Sequence, residues 1–365
     1  MNKVNKIVFI GYLPGFGGAE KSMIMVANGL ARMGNHVTII SLKDNNVVYE
    51  IDELVEYIFI PDQGISKFSK LINRFLNLKS ALSRIRPNVI ISFWLQPAIY
   101  VALISKFNGY KNIYSERSDP GNKEYLGLTG IVRSIIFQLI NGFIFQSTGA
   151  KNYFGKNIQS KSIVIPNPVY IKFNDYQIPK FREKIIVNVG RLHTQKNQKL
   201  LIEAFSYIEK EFPEYQLHIY GEGELKNELQ ELINKLELGK KVYLMGTTKD
   251  ISRKIVNSSL FVLSSDYEGM PNALLEAMAL GVPCISAECP PGAPSDLIDH
   301  GENGLLFPTK NAQALANCIK KILSDVSLAE QLAINAKQIC HTHSSDKILA
   351  QWNEGILKIS EGNVQ

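Results

Sequence analysis

The sequence predicts an α/β protein of two doubly wound, Rossmann-like domains, and three observations support this. The chain has 365 residues, about two to three times the commonest domain size. Short β-like runs alternate with helical runs in both halves, as expected for parallel sheets covered by helices. Between the halves, the Pro166-Asn167-Pro168 segment and the polar stretch 172–182 interrupt the alternation, which is typical of a linker.

The elements follow in order along each half. The first half is predicted to form strands over 7–12, 37–42, 89–93 and 112–115, with helices over 19–33 and from Ser66 to Arg86. The second half is predicted to form strands over 185–189, 216–220, 242–245, 260–263 and 283–286, with helices over 198–208, 224–236, 272–280, 312–322 and 328–339. A last helix over 347–359 returns to the first domain. The domains are therefore predicted to span 1–168 with about 345–365, and 169–344.

Composition and charge exclude several classes of protein. Hydrophobic residues make up 45% and charged residues 20%, which is ordinary globular usage. Residues 1–170 carry 19 Lys and Arg against 10 Asp and Glu, but without a nucleic-acid-binding signature, so no nucleic acid partner is expected. The four cysteines form no C-x-x-C pair, which favours a reducing cytoplasm and no zinc site.

The segment from Ser66 to Arg86 has apolar residues at helical spacing among lysines and arginines. This pattern is typical of a basic amphipathic helix on an anionic membrane surface. An ordinary surface helix, with its apolar stripe packed on its own sheet, fits the pattern equally well. The apolar stretch 131–145 is interrupted by polar residues and is too short to span a bilayer, so cytoplasmic or peripheral membrane localisation is expected.

Two loops that follow predicted strands carry candidate ligand-binding residues. Gly17 and Gly18 open the first helix, where backbone N–H groups can receive a phosphate; the alternative is a tight turn alone. In the second half, Arg191 and Lys196 follow a strand, and their cations suit a diphosphate. Ligands of doubly wound sheets lie beyond the carboxyl ends of the strands, where these loops are expected.

A third loop presents Glu268, Gly269, Met270, Pro271 and Asn272 at the start of a predicted helix that also carries Glu276. The helix start is an anion site. The two carboxylates can accept hydrogen bonds from separate hydroxyls of one polyhydroxy ligand. The glycine spacing fits neither G-x-G-x-x-G nor the Walker pattern, which disfavours a nicotinamide-dependent dehydrogenase.

The chain resembles the family-4 retaining glycosyltransferases of GT-B fold across nearly its whole length. The matching landmarks are Gly17-Gly18-Ala19-Glu20, Ser115-Glu116-Arg117, Pro166-Asn167-Pro168, Gly190-Arg191-Leu192, Gln195-Lys196-Asn197, Gly221-Glu222-Gly223-Glu224-Leu225 and Glu268 to Glu276. The resemblance implies two Rossmann-like domains facing across a cleft, with a nucleotide diphosphate sugar in the C-terminal domain and the acceptor in the N-terminal domain. It implies a metal-independent enzyme without a cofactor, and no Asp-x-Asp motif occurs in the chain.

The resemblance also implies roles for individual residues. Arg191 and Lys196 would neutralise the diphosphate, Glu268 would hold the donor sugar and Glu276 the ribose. The remaining donor-binding residues are Gly17, Gly18, Gly190, Gly269, Met270, Pro271 and Asn272. Many relatives have Glu-His where this chain has Glu116-Arg117. Arg117 cannot act as a general base, so it is expected to contact the donor sugar or an anionic acceptor, beside an acceptor-binding Glu116; the alternative is a surface arginine paired with Asp119 or Glu116.

The function predicted is that of a retaining hexosyltransferase of surface-glycan synthesis. It would move a hexose or N-acetylhexosamine from a UDP-sugar to a lipid-linked oligosaccharide or polysaccharide, at the inner face of a bacterial membrane. A sugar-nucleotide epimerase of the same architecture and a non-catalytic nucleotide-sugar-binding protein remain alternatives. Turnover of the donor without acceptor would identify the epimerase.

Overall fold

The computed structural model describes residues 5–13, 17–42, 47–169, 178–248 and 250–363. The chain divides into two compact units, unit 1 (Met1–Asn167 with Asp346–Gln365) and unit 2 (Pro168–Ser345). Each unit is a parallel sheet covered by helices on both faces. The α/β, doubly wound fold predicted from the sequence is confirmed.

Unit 1 contains a seven-stranded sheet. Its strands are β1 (Lys6–Gly11), β2 (His36–Ser41), β3 (Val55–Phe59), β4 (Val89–Phe93), β5 (Lys111–Ser115), β6 (Gly142–Phe145) and β7 (Ser162–Val164). Its helices are α1 (Gly18–Arg32), α2 (Lys67–Ile85), α3 (Leu95–Asn108), α4 (Leu128–Phe137), α5 (Thr148–Asn152), α6 (Lys156–Gln159) and the C-terminal α15 (Ser345–Glu361). The strand order is β3-β2-β1-β4-β5-β6-β7 with parallel neighbours. The order reverses between β1 and β4.

Alternate residues of the unit 1 strands face two different helical layers. Ile7 and Phe9 pack with α1 and α15, whereas Val8 and Ile10 pack with α2 and α3. Because both faces are covered, the central strands are largely apolar on both faces, and all five residues of β4 are buried. The layer of α2 and α3 continues to α4, which packs on β5 and β6 through Phe137.

Unit 2 contains a six-stranded sheet. Its strands are β8 (Glu183–Val189), β9 (Gln216–Tyr220), β10 (Val242–Gly246), β11 (Ser258–Leu263), β12 (Cys284–Glu288) and β13 (Leu305–Pro308). Its helices are α7 (Gln198–Ser206), α8 (Lys226–Lys235), α9 (Ile251–Asn257), α10 (Asn272–Ala279), α11 (Ala293–Leu297), α12 (Ala312–Ser324), α13 (Val326–Ala336) and α14 (Ile339–Thr342). The order β10-β9-β8-β11-β12-β13 places the reversal between β8 and β11.

Several details differ from the sequence prediction. The single helix predicted over 328–339 is instead α13 followed by the separate turn α14. The end of the expected linker is not loose, because the Arg182 guanidinium donates hydrogen bonds to the carbonyls of Val256, Ser258 and Gly281; its residues 172–177 lie outside the described residues. The apolar stretch 131–145 contains the end of α4 and the strand β6.

The helix predicted from Ser66 to Arg86 is confirmed as α2. Ser66 and Ser69 form a capping box at its start, which satisfies two otherwise unpaired N–H groups. The helix ends at Ile85, and its C-cap Arg86 has a φ of 52°, immediately before Pro87, which cannot continue a helix.

Candidate functional site

The candidate site of unit 2 lies at the carboxyl ends of β8 and β11. The loop 190–197 follows β8, and the loop 264–271 follows β11. These strands are neighbours at the point where the strand order reverses. The crevice at such a reversal is where doubly wound sheets bind ligands, so the topology brings the Arg191–Lys196 and Glu268–Asn272 loops to the expected place.

A buried ion pair joins the two loops. Lys196 Nζ lies 2.5 Å from Glu268 Oε1. The same carboxylate oxygen accepts a hydrogen bond of 2.6 Å from the hydroxyl of Ser265, which is fully buried. The backbone N–H of Glu268 in turn donates to the carbonyl of Pro290 at 2.9 Å. Glu268 is therefore held in position by a cation, a hydroxyl and its own backbone.

Further hydrogen bonds fasten the two loops to each other. Asn197 Nδ2 donates to Asp266 Oδ1 at 2.8 Å, and Gln195 Nε2 donates to the carbonyl of Tyr267 at 2.9 Å. The Ser264 hydroxyl donates to the carbonyl of Lys196 at 2.9 Å. Polar contacts between both backbones and side chains fix the separation of the loops, so Lys196 and Glu268 meet in a preorganised geometry.

Arg191 is exposed, on the turn that follows β8, and backbone contacts hold that turn. The N–H of Leu192 donates to the carbonyl of Glu222 at 3.0 Å. Gly221 has φ +145°, and a Cβ there would lie 2.0 Å from the carbonyl oxygen of Gly190. A Cβ on Gly223 would lie 2.3 Å from the carbonyl oxygen of Leu192. Only glycine permits so close an approach of the two chains, which explains the Gly221-x-Gly223 spacing.

The helix α10 begins beside the ion pair. Gly269, Met270 and Pro271 are buried, and Asn272 is the first helical residue. Glu276 follows one turn later and is half-buried. The start of the helix can receive an anion, and Glu276 projects from the same helix as a separate carboxylate. The roles predicted for these residues and for Gly190 stay predictions.

The thiol of Cys289 borders the same carboxylate. Burial raises its pKa, and the neighbouring negative charge of Glu268 raises it further. A thiol of this kind stays protonated and unreactive at neutral pH. Cys289 therefore acts as part of the wall of the site.

The candidate residues of unit 1 follow β1 and β5. Gly17 precedes α1 and is half-buried, while Gly18 is exposed; Pro14, Gly15 and Phe16 of the same loop lie outside the described residues. Glu116 is buried, and its Oε1 accepts the backbone N–H groups of Arg117 and Ser118 at 3.0 and 3.1 Å. Burial raises the pKa of Glu116. These contacts make Glu116 a support of its own loop, and an acceptor-binding role stays a prediction.

Arg117 lies in an aromatic setting within unit 1. Its guanidinium carbon is 4.3 Å from the centroid of the Phe93 ring and 5.3 Å from that of Trp352, distances typical of cation–π contacts. Its Nη1 donates to Asn167 Oδ1 at 3.1 Å. Arg117 is therefore not a freely solvated surface arginine, since three side chains define its orientation.

Asn167 joins three elements of unit 1. Its Oδ1 also accepts from Gln146 Nε2 at 2.7 Å and from the Ser22 hydroxyl at 3.3 Å. One buried carbonyl thus connects α1, the loop after β5 and the loop after β6. The sequence marked Asn167 only as a landmark of the hinge and gave no sign of this role. It gave no sign of Ser265 as the partner of Glu268 either.

No group of three or more His, Cys, Asp or Glu side chains within the described ranges is placed to hold a metal ion. In the same part of the chain, no helix is long and apolar enough to cross a bilayer.

Comparison with known proteins supplies the context for this geometry. Residues 16–173 match the family model described as Glycosyltransferase Family 4, and residues 172–339 match Glycosyl transferases group 1. A relative from Campylobacter jejuni is 26% identical over 97% of this chain and 99% of its own. It is named GalNAc-alpha-(1->4)-GalNAc-alpha-(1->3)-diNAcBac-PP-undecaprenol alpha-1,4-N-acetyl-D-galactosaminyltransferase. An uncharacterized glycosyltransferase of Haemophilus influenzae is 26% identical over 96% of this chain and 98% of its own.

Solved structures share the fold along the chain. Anabaena HepE in complex with UDP has a TM-score of 0.83 at 20% identity, covering 97% of this chain and 100% of its own. Sucrose-phosphate synthase from Thermosynechococcus elongatus has a TM-score of 0.83 at 19% identity, covering 96% and 98%.

Proposed function

The chain belongs to the family-4 glycosyltransferases of GT-B fold, and from that premise we propose that it transfers a hexose or N-acetylhexosamine from a UDP-sugar to a glycan acceptor. The observation that carries the proposal is the grouping of Arg191, Lys196 and Glu268 with the start of α10 at the strand reversal of unit 2. The Campylobacter jejuni relative is named for a PP-undecaprenol-linked glycan, and we propose a lipid-linked oligosaccharide or a polysaccharide as the acceptor here.

In this proposal, unit 2 binds the donor. The diphosphate lies against Arg191 and Lys196, whose positive charges stabilise the charge that develops on the leaving nucleoside diphosphate. Two protein cations thereby supply the electrostatic stabilisation that a bound Mg²⁺ gives in other transferases. Glu268 accepts hydrogen bonds from the sugar hydroxyls and Glu276 from the ribose.

The proposed reaction retains the anomeric configuration. The bond between the anomeric carbon and the β-phosphate oxygen breaks, and a bond to the acceptor hydroxyl oxygen forms on the same face of the sugar. The hydroxyl proton passes to the departing diphosphate, so no general base is required near Arg117. Glu268 is not assigned as a nucleophile, because Lys196 and Ser265 already hold its carboxylate.

A thermal-shift panel of UDP, GDP, ADP and dTDP, each with and without Mg²⁺, tests the donor assignment. A ligand that binds only the folded state raises its stability with the logarithm of ligand concentration. We expect selective stabilisation by UDP without Mg²⁺, and its loss in Arg191→Ala but not in Lys199→Ala, a nearby exposed lysine. Stabilisation by none of the four nucleotides would refute the donor site.

Turnover of UDP-sugars then distinguishes a glycosyltransferase from an epimerase and from a binding protein. We expect UDP release from UDP-sugars only with a glycan acceptor, and a rate about 10²-fold lower in Arg191→Ala, the scale of one lost oxyanion donor. Conversion of the donor sugar without acceptor would identify an epimerase instead. UDP binding with no turnover on any acceptor would favour a binding protein.

A further inference from the structure

The helix α4 buries Ile136 and Phe137 but also carries an apolar outer face. Its only charged residue, Arg133, is buried, while Leu128, Ile131 and Ile135 are 81%, 58% and 61% exposed. The adjacent Val132 is exposed as well. A helix on the surface of a water-soluble protein normally turns its charges outward and its apolar stripe inward.

The inward position of Arg133 is built into the fold. Its Nη1 donates to the carbonyl of Pro120 at 2.8 Å, and its guanidinium carbon lies 4.5 Å from the centroid of the Tyr125 ring and 5.4 Å from that of Phe154. These contacts fix the rotation of α4 about its axis. Leu128, Ile131, Val132 and Ile135 are consequently held outward.

A second apolar face lies on the first half of α2. The exposed side chains there are Phe68, Leu71, Ile72 and Leu76, and the preceding Ile65 is fully exposed. From Phe75 onward α2 packs on the core of this face, chiefly through the buried Leu78 and Leu82. The apolar stripe of α2 is thus exposed at the start of the helix and packed on the sheet towards its end. Among the basic residues of α2, Arg74 is buried and paired with Asp62.

The two faces belong to one layer and one edge of unit 1. The helix α3 packs against both α2 and α4. Helices of parallel βα units start at the carboxyl edge of the sheet, and the exposed apolar residues begin in the first turn of each helix, at Phe68 in α2 and at Leu128 in α4. The same edge carries the loops of Gly17–Gly18 and of Glu116–Arg117. The loop of Glu116 and Arg117 leads into α4, and Arg133 of that helix donates a hydrogen bond back to the carbonyl of Pro120 in the loop.

The charge of this layer has one sign. The helices α2, α3 and α4 contain seven Lys and Arg and no Asp or Glu in their combined sequences. On the opposite face of the sheet, α1 and α15 carry both signs. Juxtamembrane clusters of lysine and arginine bind the anionic lipids of the cytoplasmic leaflet, and exposed leucine, isoleucine and phenylalanine insert at the acyl boundary.

We propose that the outer faces of α2 and α4 form a docking surface for an anionic lipid bilayer. The surface would place the loop of Glu116 and Arg117 at the membrane, where a lipid-linked acceptor presents its diphosphate and glycan. This link to the acceptor rests on the proposed function, whereas the docking itself does not. The apolar side chains of α4 enter the interface, and Lys67 and Lys79 of α2, both exposed, contact the lipid phosphates.

Co-sedimentation of the full chain with vesicles tests the docking surface. The vesicles are phosphatidylcholine alone or mixed with phosphatidylglycerol, each at low and high NaCl. We expect binding to the mixed vesicles that weakens with salt. Ile131→Ser with Ile135→Ser should lower the partition about tenfold, and Lys67→Gln with Lys79→Gln should lower it to a similar extent on anionic vesicles alone.

Matched variants of unit 2 provide the controls. Val326→Ser with Ile334→Ser removes two equally exposed apolar side chains, and Lys235→Gln with Lys240→Gln removes two exposed lysines. Both controls should sediment like the wild type. Equal sedimentation of the Ile131/Ile135 variant and the wild type would overturn the proposal. So would a wild type that stays in solution with anionic vesicles at low salt.

Two additional readouts separate the remaining outcomes. Light scattering after gel filtration reports whether a second copy covers α4, and a dimer that dissociates in the Ile131/Ile135 variant would replace the membrane as the occupant. Stabilisation by UDP, measured on the same samples, shows that each variant is folded. It also separates the docking proposal from the proposed function, because vesicle binding can fail while UDP still stabilises the protein, and UDP stabilisation can fail while vesicles still bind.

Discussion

Replacing Lys196 by methionine tests whether the ion pair of unit 2, which we propose binds the donor, also stabilises the fold. The Glu268 side chain is 6% exposed and that of Lys196 18% exposed, with 2.5 Å between Nζ and Oε1. Methionine keeps most of the length of the lysine chain but removes the ammonium. The variant would leave a buried carboxylate with only the Ser265 hydroxyl as a side-chain partner.

The expected cost follows from the burial. Removing one partner of a buried pair costs about 3–5 kcal/mol, because the other charge remains desolvated. Lys196 keeps some solvent contact and Ser265 still donates to the carboxylate, so we expect a loss of about 2–3 kcal/mol of unfolding free energy. Glu268→Gln removes the buried charge. The double variant Lys196→Met/Glu268→Gln should therefore be about 2 kcal/mol more stable than the sum of the two single effects implies.

Urea unfolding followed by circular dichroism measures these values. Both tryptophans, Trp94 and Trp352, lie in unit 1, so tryptophan fluorescence follows unit 1 while circular dichroism follows the whole chain. Lys199→Met is the control, since Lys199 is 68% exposed and pairs with Glu203 at 3.9 Å; it should change stability by less than about 0.5 kcal/mol. Additive effects of Lys196→Met and Glu268→Gln, within about 0.5 kcal/mol, would refute the reasoning.

Three further predictions concern single residues. Asn167→Ala removes the acceptor of three hydrogen bonds and should lower the free energy of unfolding in urea by about 3 kcal/mol. The control Asn157→Ala, at an exposed site, should lower it little, and equal effects of the two variants would contradict the bridging role of Asn167. Because burial raises the pKa of Glu116, the wild type should lose stability as pH rises from about 4.5 through that raised pKa. Glu116→Gln should flatten the dependence of the unfolding free energy on pH, and an unchanged dependence in this variant would refute the prediction. Gly221→Ala should lower the free energy of unfolding by at least about 3 kcal/mol, because its Cβ meets a carbonyl oxygen. The control Gly239→Ala, where a Cβ meets nothing within 4 Å, should be tolerated, and equal urea midpoints for the two variants would show that the loop adjusts.

The sequence was sufficient for the fold because its central strands are strong signals. A buried parallel strand is largely apolar on both faces, so runs such as β1 and β4 stand out from their surroundings. The strand β3 escaped prediction because its last three residues are only half-buried and Glu56 is exposed. The strand β7 has three residues, which is too few to show a period. The helix α3 is apolar around most of its circumference, and a helix without a polar face gives no 3.6-residue pattern.

From the sequence, site residues could be predicted only where a charged or glycine residue directly follows a predicted strand. Arg191, Lys196 and Glu268 follow strands and carry charge, so their positions could be inferred. Ser265 is an ordinary serine in the sequence, and its bond to Glu268 depends on the conformation of the loop. The outward face of α4 was equally hidden, because burial of Arg133 depends on aromatic rings brought together from other parts of the chain.

The close approach of Gly221 and Gly223 to the turn after β8 has a consequence for changing donor preference. Backbone atoms, not the Arg191 side chain, hold that turn in shape. The Arg191 side chain can therefore be exchanged without loss of the conformation of the turn, whereas the His193 ring accepts the N–H of Gln195 at 3.2 Å and caps the next turn. A library at position 191, with His193 and both glycines kept, is the natural starting point for changing the donor preference of the proposed transferase.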